Sequence, residues 1–201
     1  MHTQSSLIPE VAEGITYRKL VMGDAETFEA HLRTLDPASR RMRFGMMASD
    51  AFLAQYAERC ISLNAIIHGA FHHGALIGVA ELRPIGGFLA GEAEIAFSVL
   101  TEWRNHGIGT TLFARTLRSA RNRGYARLYM TCLRHNAPMQ ALARKFSAEI
   151  MVEIDESVAY VETPRRTIIS LFREAMEDAG IFSTMAMEWQ RRALERRATL
   201  P

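Results

Sequence analysis

The segment from Val99 to Thr110 of this 201-residue chain reads Val-Leu-Thr-Glu-Trp-Arg-Asn-His-Gly-Ile-Gly-Thr, the end of an apolar strand running into a helix with two glycines and an arginine at the junction. The first N–H groups of a helix have no intrahelical partner and carry partial positive charge, so an anion binds there without a dedicated side chain. Gly107 and Gly109 let oxygen atoms approach the backbone, and Arg104 adds a positive charge at the mouth of the loop. The junction is suited to holding a pyrophosphate.

Two common phosphate-binding patterns do not fit. A dinucleotide-binding fingerprint requires a third glycine where this chain has Leu112, and a Walker loop requires Gly-Lys followed by Ser or Thr, which does not follow Gly109. Around the junction, Ile15 to Leu20 reads as a first strand, Asp24 as the cap of a helix reaching Leu35, Asp36-Pro37 as the start of a second helix, and Asp50 to Cys60 as a third. Asn64 to Phe71 and Ala75 to Leu82 form a hairpin about His72-His73-Gly74, and Glu92 to Leu100 is the strand entering the junction. Ile108 to Arg123 places Ile108, Leu112, Leu117 and Ala120 on one face, away from Arg115, Arg118 and Arg121, and Gly124 ends the helix.

Arg127 to Leu133 then returns as a strand, which makes a βαβ unit with parallel strands. Asn136 caps the next helix with Pro138 in its first turn, and Glu149 to Ile154 with Ser157 to Val161 form a last hairpin about Asp155-Glu156. From Thr163 the pattern becomes helical. Ile168, Leu171, Phe172, Ala175 and Met176 share one face, and after Gly180 come Phe182, Met185 and Trp189, so two amphipathic helices are expected. Their apolar faces either dock on the main domain or pair with a second copy.

The loop Arg104-Asn105-His106-Gly107-Ile108-Gly109 resembles the Arg-x-x-Gly-x-Gly loop of the GNAT family of N-acetyltransferases. Ala93 to Val99 looks like that family's fourth strand, and Asn136 to Phe146 like its later helix. Leu35 to Phe44 resembles the helical insert of its bacterial protein-lysine acetyltransferase branch. The resemblance spans roughly Gly14 to Val161. It implies an α/β (α+β) fold, a mixed and mostly antiparallel central sheet flanked by helices, as a domain over 1–162, followed by a C-terminal two-helix extension over 163–201. It also implies an acetyl-CoA co-substrate held by Phe97, Val99, Arg104, Asn105, His106, Gly107, Ile108, Gly109, Thr110 and Asn136, with no metal.

An amine acceptor arrives protonated near neutral pH, so acyl transfer needs a base. By resemblance Glu94 takes that role, with Glu81 and Glu92 in reserve, while Ala143 stands where the family often carries a tyrosine acid, so no tyrosine acid is expected. The acceptor is a protein lysine or a small amine, and the helical insert favours the lysine. A non-catalytic acyl-CoA sensor is the alternative reading. Asn136 either caps its helix alone or also bonds the pantetheine arm, and Arg144 either touches a CoA phosphate or is solvated.

Composition excludes several classes. Net charge is +2 with 23% charged residues, and acidic neighbours offset the arginines, so nucleic-acid binding is not expected. No apolar run approaches a membrane span, and the opening Met-His-Thr-Gln-Ser-Ser is unlike a signal peptide, so the expectation is a cytoplasmic protein with no membrane partner. Cys60 and Cys132 are the two cysteines and read as reduced thiols, with no base in sight to make Cys132 a nucleophile. Adjacent His72 and His73 point to opposite faces of a strand, which argues against a metal site with His68. Met185, Met187 and Trp189 read as packing residues, and a homodimer through the C-terminal helices is expected to cover them.

Overall fold

The computed structural model describes residues 14–62, 65–86, 91–152, 156–163 and 167–179. Strands β1 (Ile15–Lys19), β2 (Ile66–His72), β3 (Ala75–Ile85) and β4 (Glu92–Val99) pair antiparallel in that order. β5 (Arg127–Leu133) joins β4 in parallel, and β7 (Glu156–Glu162) and β6 (Glu149–Val152) complete a seven-stranded sheet in the order β1-β2-β3-β4-β5-β7-β6. The β2–β3 turn uses His73 and Gly74, both at positive φ (48° and 83°), as the twist of a two-residue hairpin requires.

Helices α1 (Ala25–Thr34), α2 (Pro37–Phe44) and α3 (Asp50–Ser62) pack on the sheet face that presents Glu81, Ala96 and Ser98. Phe28, Leu32 and Leu53 are fully buried there. α4 (Ile108–Asn122) and α5 (Ala137–Lys145) lie on the opposite face, where Phe113 stacks between Phe97 of β4 and Phe146. This stack ties the junction helix to the strand before it and to the helix that follows β5.

The expected caps at Asp36 and Asn136 form: Asp36 accepts from the Ser39 amide at 2.9 Å, and Asn136 from the Met139 amide at 3.3 Å. Asp24 sits at the N-cap of α1 but makes no cap bond to it. Its carboxylate receives both arms of Arg18 at 2.6 and 2.8 Å and the Val21 amide at 2.8 Å, a charge-assisted pair that outcompetes a single helix amide.

Helix α6 (168–179) is present, but it docks on the domain through its polar side. Glu174 accepts from Lys19 of β1, from Ser119 and Asn122 of α4 and from Arg123 just after it, Glu177 pairs with Arg115 and Arg118, and Ser170 donates to Asn122. Ile168, Ile169, Leu171, Phe172 and Met176 face solvent, Ile168 at 86% and Phe172 at 67% exposure. The second expected helix, with Phe182, Met185, Met187 and Trp189, and the Asp155 turn lie outside the described residues. Among the described residues no helix is long and apolar enough to cross a membrane.

Candidate active site

β4 and β5 hydrogen-bond only over their first residues. Their register runs from Glu92 opposite Arg127 to Glu94 opposite Tyr129, while β4 continues to Val99 and β5 to Leu133. Beyond Glu94 the two strands diverge and leave a cleft of about 440 Å³ in the middle of the sheet. Ala96, Phe97, Ser98 and Val99 form one wall, Thr131 and Cys132 the other, and the N-terminus of α4 closes one end.

The α4 terminus is arranged as the sequence suggested. Its first helical hydrogen bond is the Thr111 amide to the Gly107 carbonyl at 3.0 Å, so the amides of Ile108, Gly109 and Thr110 have no partner within the helix. Gly107 occupies the N-cap with φ 74°, and no side chain caps the helix, in contrast to α2 and α5. Asn105 also takes a left-handed φ of 66°, a conformation asparagine tolerates better than most residues. Arg104 is anchored rather than free: Nε donates to the Val99 carbonyl at 3.3 Å and Nη2 to Ser39 Oγ at 2.6 Å.

Of the expected cofactor-binding residues, Phe97, Val99, Arg104, Asn105, Gly107, Ile108, Gly109, Thr110 and Asn136 converge on the cleft. His106 does not line it; its Nδ1 lies 2.8 Å from the Arg104 carbonyl, and the ring is exposed outside the loop. Lys145 of α5, within 3.4 Å of Thr110 Oγ1, brings a positive charge to the cleft, whereas Arg144, weighed between a phosphate contact and a solvated position, is exposed outside the cleft and donates to Gln140. The reason is helical phase, since one residue along α5 turns the side chain by about 100°. Ala143 is buried inside α5.

The carboxylates separate clearly. Glu94 lies outside the residues lining the cleft, on the same face of β4 as Ser98; it is 34% exposed and paired with Arg83 at 2.9 Å. Glu81 is fully buried, with Arg43 at 2.5 Å and the Tyr56 hydroxyl at 2.6 Å. Burial pushes its pKa up, but Arg43, Arg83 and Tyr56 together hold it below the ordinary carboxylate range. Glu92 is paired with Arg127 and receives the Tyr129 hydroxyl.

Residues from the other sheet face, which sequence reading missed, complete the site. Leu35, Ser39, Met42 and Arg43 reach the cleft from α2 and the turn before it. Ser98 Oγ lies 2.9 Å from His31 Nε2, and His31 Nδ1 lies 2.9 Å from the Leu76 carbonyl. The three histidines weighed for a metal do not converge: His68 bonds Ser119, His72 packs on Trp103, and His73 is in the turn. Among the described residues no group of three or more His, Cys, Asp or Glu side chains is placed to hold a metal ion.

A sheet split between two parallel strands, with an uncapped glycine-flanked helix at its end, can take up an extended thioester with its pyrophosphate on the helix. Residues 31–147 match the model of the acetyltransferase (GNAT) family. The chain belongs to that family. A search of curated proteins finds no sequence match. Among solved structures, the chain is similar to the GNAT domain of S. lividans PAT, with TM-score 0.65 and 21% identity over 73% of this chain and 89% of that one. It is similar also to the PaiA N-acetyltransferase of Thermoplasma acidophilum in complex with coenzyme A, with TM-score 0.57 and 21% identity over 74% and 98% of the two chains. A third is the ribosomal-protein-alanine N-acetyltransferase of Brucella melitensis, with TM-score 0.57 and 19% identity over 72% and 96%. GNAT membership makes the chain an acetyltransferase, and these likenesses establish its fold.

Proposed function

We propose that this protein moves the acetyl group of acetyl-CoA to a primary amine, with a protein lysine as acceptor and Glu94 as general base. The observation that carries the reading is the cleft between β4 and β5 ending on the uncapped N-terminus of α4. The amides of Ile108 to Thr110 are suited to the pyrophosphate, Lys145 to a further phosphate, and the separated edge of β4 at Phe97 to Val99 to the amide groups of the pantetheine arm. The coenzyme A in the Thermoplasma structure, with the same fold, supports this use of the cleft.

Glu94 is suited to the base role better than its reserves. It is paired with Arg83 and one-third exposed on the face where α1 to α3 lie, and an arriving ammonium group can displace a partly exposed ion pair at little cost. Glu81 is sealed under two arginines and a tyrosine, and Glu92 is held by Arg127 at the strand's start. A protein acceptor is supported by the helical insert at Leu35 to Phe44, which forms α2 over the cleft mouth. A small amine and a non-catalytic acyl-CoA sensor are the competing readings.

Calorimetric titration with acetyl-CoA, followed by mass spectrometry of lysine peptides incubated with protein and acetyl-CoA, tests the reading. Micromolar binding with acetylated lysine is the expected result. Binding without any acetyl transfer to peptides or polyamines would leave the sensor. We place the protein in the cytoplasm and pair it with a second copy through the apolar side of α6, which the described domain leaves in water.

A further inference from the structure

The cleft contains a serine whose proton is already committed. Ser98 lines the wall of β4 beside Val99, and its Oγ is 2.9 Å from Nε2 of His31, which α1 buries to 2% exposure behind the wall. The other ring nitrogen, Nδ1, is 2.9 Å from the Leu76 carbonyl. A carbonyl oxygen only accepts, so Nδ1 carries the hydrogen of the neutral ring and Nε2 is bare. The Ser98 hydroxyl must therefore donate to His31, and its lone pairs are what an N–H in the cleft would meet.

We infer that Ser98 and His31 form a proton relay that carries a proton from the attacking amine nitrogen to the leaving sulfur of the thioester. The relay rests on the acetyl-transfer reading above, and it supplies the thiol proton for which the sequence, with Ala143 in place of a tyrosine, offers no donor. Glu94 has a separate task, removing the first proton of the ammonium group before attack and releasing it to solvent, to which its side chain is one-third exposed.

The transfer balances within the chain's own groups. As the amine nitrogen bonds to the thioester carbon, its N–H proton passes to Ser98 Oγ while the Ser98 proton passes to His31 Nε2. The C–S bond then breaks with its electron pair on sulfur, and the proton returns through the same two hydrogen bonds to the thiolate. An amide and a free thiol leave, and Ser98 and His31 are restored. The environment suits a group that holds a proton only transiently. Burial lowers the pKa of His31 to about 4, with Arg43 of α2 also acting downward and Glu81 of β3 and Glu102 after β4 acting upward. His31 is thus neutral at rest, and once protonated it gives the proton up readily.

The test uses hydroxylamine as the nucleophile, because it is small and arrives unprotonated at neutral pH, so it makes no demand on Glu94. The full-length protein is incubated with acetyl-CoA and hydroxylamine, and hydroxamate and free thiol are followed, with acetyl-CoA affinity measured in parallel by calorimetry. Ser98→Ala should lower kcat by about 100-fold, the lower end of general acid–base contributions, with acetyl-CoA affinity unchanged. His31→Gln keeps a hydrogen-bonding partner for Ser98 but cannot hold a proton. It should match that loss, and the double variant should be no worse than either single one, as expected for groups acting as a unit. His31→Gln also carries the test if Ser98→Ala does not fold.

Full kcat in Ser98→Ala or His31→Gln would overturn the relay and leave acetyl transfer standing. A fall in turnover matched by an equal fall in acetyl-CoA affinity would make the pair a packing element and overturn it as well. A wild-type protein that forms no hydroxamate above the buffer rate would overturn the acetyl-transfer reading and the relay together.

Discussion

Arg104 Nη2 lies 2.6 Å from Ser39 Oγ, so the arginine of the glycine loop is held by a hydroxyl on α2, 65 residues earlier in the chain. Ser39 in turn donates to Asp36, which also accepts from Thr101, and these bonds hold the Asp36 carboxyl well below the usual carboxylate range. One chain of hydrogen bonds thus fixes the helix over the cleft mouth, the turn after β4 and the loop at α4. Ser39→Ala should lower acetyl-CoA affinity about tenfold, since a hydrogen bond to a charged group is worth about 1.5–3 kcal/mol and part of it is regained from water. Arg104→Lys should lower it at least as much, because an ammonium group cannot span Ser39 and the Val99 carbonyl. Calorimetry on both variants decides; unchanged affinity would show that the loop keeps its shape without α2.

Gly107 and Gly109 are predicted to fail differently. Gly107 has φ 74°, so Gly107→Ala is strained by about 1–2 kcal/mol and should lower thermal stability with a smaller effect on binding. At Gly109 a Cβ would meet only Leu142 Cδ2 at an ordinary 3.8 Å, so Gly109→Glu should fold normally. Its carboxylate would compete for the α4 amides and repel the phosphates, abolishing acetyl-CoA binding. Retained affinity in a folded Gly109→Glu protein would move the cofactor away from this helix.

Glu94→Gln should lower turnover with lysine peptides by about 10²–10⁴-fold while acetyl-CoA affinity stays unchanged. The loss should shrink as the assay pH rises and more of the acceptor arrives neutral. A variant with full turnover at neutral pH would hand deprotonation to solvent.

The parts of this fold legible in the sequence are those encoded locally. Asp36-Pro37 and Asn136 with Pro138 announced two helix starts, His73-Gly74 a hairpin, and the glycine pair the end of the cleft, because caps and positive-φ turns act over three or four residues. The His31–Ser98 and Arg104–Ser39 pairs were not legible, since each joins residues more than 60 positions apart through sheet register and helix placement. Helix α6 was legible in part. Periodicity marked its apolar stripe and left docking or pairing open, whereas the polar side that docks, through four partners of Glu174, joins residues more than 50 positions apart.

Stability should fall on mild acidification, before most carboxylates titrate. Burial lowers His31 to about 4 and His68 to about 3, each from an ordinary 6.5. Ser119 donates to Glu174 and so accepts from His68 Nε2, leaving Nδ1 buried and bare. The unfolded chain binds these protons first, so the contribution of both rings is fully present above pH 6.5 and is lost as pH falls toward 4 and then 3. The slope approaches about 2.7 kcal/mol per pH unit if both titrate together. Urea unfolding at pH 7, 6 and 5 measures it. A free energy constant over that range would mean that the two rings are solvated in the native state.

Helix α6 is held by ion pairs on one side and leaves Ile168, Ile169, Leu171, Phe172 and Met176 in water on the other. Fully burying each such side chain is worth about 1.5–3 kcal/mol, so a second copy applying the same face gains several times that amount across an isologous contact. Removing everything after residue 162 is a poor test, because it strips Lys19, Ser119 and Asn122 of Glu174 and destabilises the domain itself. Phe172→Asp with Met176→Asp is the better one. Both side chains are exposed within the chain, so the double variant should cost the folded monomer little, within about 0.5 kcal/mol per site, and keep acetyl-CoA affinity. Light scattering should give a dimer for the full-length chain at tens of micromolar and a monomer for the variant. A full-length chain that stays monomeric at those concentrations would leave the α6 stripe to the chain's own residues beyond 179.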